Sequence, residues 1–161
     1  MRLCSQSVLW FVLAAACSAG CSGEKVPGLG RVRGAVTLDG QPVADAEVIF
    51  EAAKPGEPPS MGRTDASGNY ELYYSRGHKG ATLGEHLVFI GTYQAPTDES
   101  PQPKKEKIPA KYNRKSELKV TVGRGTNMLN FDLKSGGPII QPEEEDATKK
   151  GKKVRSKTGC A

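Results

Sequence analysis

Few residues in this chain are of a type that does chemistry, and their spacing narrows what that chemistry is. His78 and His86 are its two histidines, the side chains able to shuttle protons near neutral pH. Neither opens a His-x-x-Glu or His-Glu-x-x-His pattern that would hold zinc beside a base. Asp65, Ser67 and Asn69 place three oxygen-bearing side chains around one turn. A hard cation such as calcium prefers such ligands, but needs six or more, and the same oxygens cap a hairpin turn's own backbone. Tyr73, Tyr93 and Tyr112 offer flat rings on which a sugar face stacks, or which pack at strand edges. Arg31 and Arg33 stand where an internal Lys-Asn isopeptide bond would need lysine. Cys4, Cys17 and Cys21 crowd into the first 21 residues and only Cys160 lies elsewhere, so no internal disulfide framework is implied. Cys160 is a lone thiol and a candidate for an intermolecular disulfide. No catalytic residue, metal or cofactor is assigned.

The cysteines near the start have a chemistry of their own. Met1 and Arg2 precede the apolar run Val8 to Ala16, far shorter than the roughly 20 residues of a spanning helix and suited to a secretory leader. Ser18, Ala19 and Gly20 are small and lead directly into Cys21. This pattern resembles the lipobox of bacterial lipoproteins, which implies cleavage after residue 20 and a diacylglycerol thioether on the Cys21 sulfur. Cys17, after three alanines, is the rival acceptor. Two or three acyl chains hold a protein to a membrane where one holds it only marginally. Ser22, rather than aspartate, follows the cysteine, which by resemblance to enterobacterial lipoprotein sorting implies the outer over the inner membrane.

The elements that position everything else are strands. From residue 31 the hydrophobic pattern has period two, so that alternate side chains share a face. Val32, Gly34, Val36 and Leu38 form one such row, Ala46, Val48 and Phe50 a second, and Tyr70, Leu72 and Tyr74 a third. Residues 85–93 are more continuously apolar, as a central strand requires. Leu118, Val120 and Val122, then Leu129, Phe131 and Leu133, complete the set. Asp39-Gly40 and Asp65 to Asn69 supply turns. Short strands at this spacing predict an antiparallel sandwich with Val36, Phe50, Phe89 and Phe131 in its core. Residues 94–107, with three prolines, are expected to form an exposed loop.

The 161 residues carry a formal net charge of +5, with 37% hydrophobic and 25% charged content. The division expected is a leader over 1–20, a lipidated linker over 21–30, one domain over 31–134 and a disordered charged tail over 135–161. The tail passes from Glu143-Glu144-Glu145-Asp146 to Lys149, Lys150, Lys152, Lys153, Arg155 and Lys157. Such charge blocks stay solvated and suit anionic polymers rather than a specific nucleic acid.

"VRGAVTLDGQPVADAEVIF" at 32–50, "GRTDASGNYELYY" at 62–74, "GATLGEHLVFI" at 80–90 and "IPAKYN" at 108–113 together resemble the carboxypeptidase regulatory-like domain in its stand-alone bacterial lipoprotein form. The resemblance implies a seven-stranded antiparallel Greek-key sandwich, transthyretin-like or prealbumin-like and related in layout to immunoglobulin domains, that accompanies peptidases without their catalytic residues. Hydroxyisourate hydrolases share that fold but use a C-terminal Tyr-Arg-Gly-Ser, where this chain reads Lys157-Thr158-Gly159-Cys160-Ala161. The expected protein is a membrane-anchored envelope lipoprotein with a non-catalytic structural or binding role. A carbohydrate- or peptide-binding accessory module is the alternative, with an envelope polysaccharide or protein as partner. An undetected hydrolase is the distant third.

Overall fold

Every second residue of the first strand is buried, and the architecture follows from that strand. The computed structural model describes residues 27–142; Cys17, Cys21, Cys160 and the basic tail residues lie outside them. Twelve strand segments are present among the described residues: β1 (Leu29–Leu38), β2 (Gln41–Pro42), β3 (Glu47–Ala52), β4 (Ser60–Arg63), β5 (Asn69–Glu71), β6 (Tyr73–Tyr74), β7 (His78–Lys79), β8 (Ala81–Thr82), β9 (Gly84–Gly91), β10 (Leu118–Val122), β11 (Thr126–Met128) and β12 (Phe131–Leu133). The helical content is two single turns of 3-10 helix, at Ser75–Gly77 and Ala110–Tyr112. No helix among these residues is long and apolar enough to cross a membrane.

The strands form two sheets. In the first, β1 is paired along both edges: by β8, β5 and β2 on one side, antiparallel, and by β11 and β12 on the other, parallel. The second runs β10-β9-β3-β4-β6-β7 and is antiparallel throughout. Two features depart from the expected seven antiparallel strands. Leu72 donates its N–H to Val32 of the first sheet while β6, directly after it, pairs with β4 of the second, so one run serves both sheets and is cut in two. After β10 the chain turns at Gly123–Gly125 and crosses to the open edge of β1, where it runs alongside in the same direction.

Alternation builds the core. Val32 and Val36 of β1, Val48 and Phe50 of β3, and Val88 and Ile90 of β9 are fully buried, with Phe131 and Leu133 of β12 nearly so. The Phe131 ring meets Phe50 edge-on and stacks on Tyr70, both with centroids 6.2 Å apart. Each such side chain contributes roughly 2–3 kcal/mol of burial. Phe89 is the exception to the expected core. It lies one residue out of phase with Val88 and Ile90, so the pleat turns it to the outer face of the second sheet, where it is half-buried.

Two backbone details fix β1. Asp39 and Gly40 both have positive φ, 52° and 81°, the geometry of the tight hairpin turn that joins it to β2. At Gly34 a Cβ would lie 1.8 Å from the Leu129 carbonyl oxygen, the same oxygen that accepts a 2.7 Å hydrogen bond from the buried Tyr70 hydroxyl. Burial pushes that phenol upward in pKa. Thus Gly34→Ala is expected to lower the thermal midpoint sharply. In urea titrations Phe50→Asp is expected to abolish cooperative unfolding, whereas Phe89→Asp retains it, because only the former buries an unpaired charge.

Candidate functional site

The outer face of the second sheet gathers the surface features that suit recognition. Register places Phe89 opposite Ile49, Ile49 opposite Met61, Met61 opposite Tyr73 and Tyr73 opposite Lys79, one row across five strands. Met61 is 47% exposed and Tyr73 41%; Ile49 and Phe89 are half-buried. Sheets of soluble proteins usually carry polar residues outward, so a continuous apolar row is informative. Tyr73 is held in place at the end of this row. Its hydroxyl donates to Glu71 Oε2 at 3.2 Å, and Lys79 Nζ lies 5.7 Å from its ring centre. Glu71 in turn accepts from Arg33 and Lys79 at 2.9–3.0 Å.

At the other end the row opens into a shallow pocket of about 210 Å³. Ile49, Phe89 and Tyr93 supply apolar and aromatic walls, and Glu47 and Glu106 line it as well. Residues 94–107 were expected to be exposed throughout, but Glu106 is 8% exposed. Its Oε1 accepts from Thr92 N, Thr92 Oγ1, Lys107 N and Ile108 N at 2.8–2.9 Å, and its Oε2 from Thr92 N and Tyr93 N at 3.2 and 3.4 Å. Both oxygens therefore face N–H or O–H donors. None of the ion pairs among the described residues uses it. Gly91, the last residue of β9, has no side chain to displace it: a Cβ there would lie 2.8 Å from Oε2.

Beyond β12 the chain stays with the body. Pro138 O accepts from Ala110 N at 2.9 Å. Gln141 places its side-chain amide against the Glu106 backbone, Oε1 accepting from N at 2.9 Å and Nε2 donating to O at 3.0 Å. Ile140 and Pro142 consequently line the pocket. Residues 135–142 fall in the segment expected to be a disordered charged tail; the apolar pair Ile139-Ile140 between Pro138 and Pro142 is the signal that could have pointed to this arm. Glu106, set among three lysines, gave no signal at all.

Of the three tyrosines read as a platform, Tyr73 and Tyr93 share this side and Tyr112 does not. Tyr112 packs against the core, accepts the Lys134 N–H at 3.0 Å through its hydroxyl, and has Lys111 Nζ 4.9 Å from its ring centre. The Asp65 turn closes on itself. One carboxylate oxygen accepts from Ser67 N and Asn69 N at 2.8 and 2.9 Å, the other from Asn69 Nδ2 at 3.5 Å. These bonds hold the Asp65 carboxyl below its ordinary range. No group of three His, Cys, Asp or Glu that could hold a metal occurs among the described residues.

His78 is exposed, whereas His86 lies beneath the surface at 2% exposure, with its Nδ1 3.1 Å from the Gly84 carbonyl and its Nε2 3.1 Å from Thr82 Oγ1. A carbonyl only accepts, so Nδ1 carries the hydrogen. Thr82 is 3% exposed; this hydroxyl–imidazole pair is sealed against the Phe50 ring, 5.9 Å away, rather than open to substrate. Lys54 Nζ donates to the neighbouring Glu57 Oε1 at 2.9 Å and holds that carboxyl below its ordinary range.

No family model and no curated protein matches the chain. Among solved structures it is similar to a 9R-lipoxygenase from Cyanothece PCC8801, with 18% identity and a TM-score of 0.34 over 71% of this chain. The chain spans 17% of that protein's length. A likeness of that degree carries no inference about activity.

Two outcomes follow from the carboxylates. Glu106→Ala strands several buried N–H groups and is expected to cost about 3 kcal/mol in urea unfolding, with faster proteolysis within 94–107; Glu117→Ala, on the surface, leaves both unchanged. The bonds from Lys79 and Arg33 hold the Glu71 carboxyl down at about 2, against an ordinary 4.5. The unfolded chain therefore binds this proton first, so the contribution is complete above about pH 5 and lost as pH falls toward 2. Thermal melts across that window should show a falling midpoint, and Glu71→Gln should flatten part of the slope.

Proposed function

We propose that this chain is an exported lipoprotein, anchored through Cys21, whose β-sandwich recognises a partner at the cell envelope and transforms nothing. The observation that carries the recognition part is the row Phe89-Ile49-Met61-Tyr73, ending at a pocket that Tyr93 lines. Flat apolar and aromatic surface with polar groups at its margins is what a mostly preformed binding site consists of. The sealed position of His86 and Thr82 supports binding over catalysis. The anchor rests on the small-residue run before Cys21, and the finer topology, a transthyretin-like Greek key of the carboxypeptidase regulatory-like type, on the four motifs quoted above.

A second reading narrows the partner to a carbohydrate or peptide. The shared side of Tyr73 and Tyr93 favours it, because two rings at opposite ends of one face hold separate units of an extended ligand.

Intact mass spectrometry of membrane-extracted protein should show residues 1–20 absent and acyl mass present; a water-soluble chain still carrying its leader would overturn the anchor. In pull-downs with envelope polysaccharide or peptide, Tyr73→Ala and Tyr93→Ala should each weaken binding about five- to tenfold, the value of one stacked ring. Tyr112→Ala should lower stability instead, because its ring packs against the core.

A further inference from the structure

The end of the molecule at which β1 begins carries an excess of cations on one side and of acids on the other. β1 begins at Leu29, eight residues after Cys21, so the extended chain reaches no more than about 28 Å from an anchored cysteine. Arg31 donates its backbone N–H to Gly125 O at 2.8 Å, which brings the β10–β11 turn, with Arg124, against the start of β1. Arg31 stands opposite Thr126, and Arg33 opposite Met128, on the outer face of the first sheet. Arg31 and Arg124 are exposed and enter no ion pair among the described residues. Arg33 and Lys79 share the single carboxylate of Glu71. Met128 is 66% exposed, the most exposed of the large hydrophobic side chains, and Leu83, beside Gly28, is 39% exposed. Glu51 and Glu85 are exposed on the outer face of the second sheet at this end, with a single cation, Lys119, in the row of Glu51.

We propose that the outer face of the first sheet, at the end where β1 begins, lies on the anionic phospholipid headgroups of the membrane that holds the anchor. The inference rests on the Cys21 reading above. Cations there strengthen contact with an anionic leaflet about fivefold each, and Met128 and Leu83 add apolar contact at the headgroup boundary. Because the opposite side has two acids to one cation, the charge distribution orients the body rather than merely attracting it. The Tyr73–Phe89 row then faces away from the lipid, open to a partner.

The test uses the acylated full chain carrying Cys160→Ser, with a fluorophore on Met128→Cys or, at the far end of β1, on Gln41→Cys. It is reconstituted in phosphatidylcholine vesicles with or without phosphatidylglycerol, and quenching by headgroup-labelled lipid is read. Quenching at position 128 is expected to exceed that at 41 several-fold, only where phosphatidylglycerol is present. Arg31→Gln with Arg124→Gln should remove the difference, while Arg63→Gln on the second sheet leaves it. Equal quenching at both positions, or no dependence on anionic lipid, overturns the inference, as does release of the contact by dextran sulfate with no response to phosphatidylglycerol, which would mark a polymer partner. Acylated protein with equal quenching refutes this orientation alone. A chain without acyl mass at Cys21 refutes the anchor and the orientation together.

Discussion

The pairing of β1 along both of its edges is the constraint on which the remaining structure depends. Five short segments, drawn from residues 41 to 133, use its backbone groups. None is longer than three residues, so none is stable as a ladder by itself. Their stability is collective and requires that β1 be straight, fully extended and free of bulk at Gly34, where the Leu129 carbonyl enters. The second sheet has its own long central strands, β9 and β3, but the core between the sheets is closed by the inward side of β1 and by Phe131 beside it.

The parts legible in the sequence were those governed by alternation alone. Val32 and Val36, then Ala46, Val48 and Phe50, then Tyr70, Leu72 and Tyr74, stand inward as the period of two requires. Where a second layer covers a strand, alternation stops discriminating. β9 is apolar on both faces because Val88 and Ile90 meet the core while Phe89 meets the pocket, and the run of hydrophobic residues did not say which side Phe89 took. The mixed direction at the edge of β1 was hidden for a related reason: strand patterns carry no sign of parallel or antiparallel pairing. The site was less legible still. Tyr73 and Tyr93 share a side because of register among four strands, and Glu106 is buried because backbone donors just after β9 converge on it. Neither fact has a local signature.

Electrostatics and topology act on the two faces differently. Among the described residues, nine Lys and Arg accompany three Asp and Glu over 104–134, whereas six accompany ten over 27–103. The overall charge of +5 thus conceals a basic stretch, 104–134, whose cations lie mostly in its loops, preceded by a longer stretch, 27–103, with an excess of acids. Glu71 of the first sheet joins Arg33 of β1 to Lys79 of the second sheet at one edge, and its bond from Tyr73 couples that junction to the aromatic row.

The Gln141 side chain imitates a rung of β-ladder, offering one acceptor and one donor to the two backbone groups of Glu106. With the Ala110–Pro138 bond, three hydrogen bonds hold down the arm that carries Ile140 and Pro142. Peeling that clasp away breaks no strand, so the ceiling over the pocket is mechanically separate from the sandwich below: the hollow can widen while the framework stays whole.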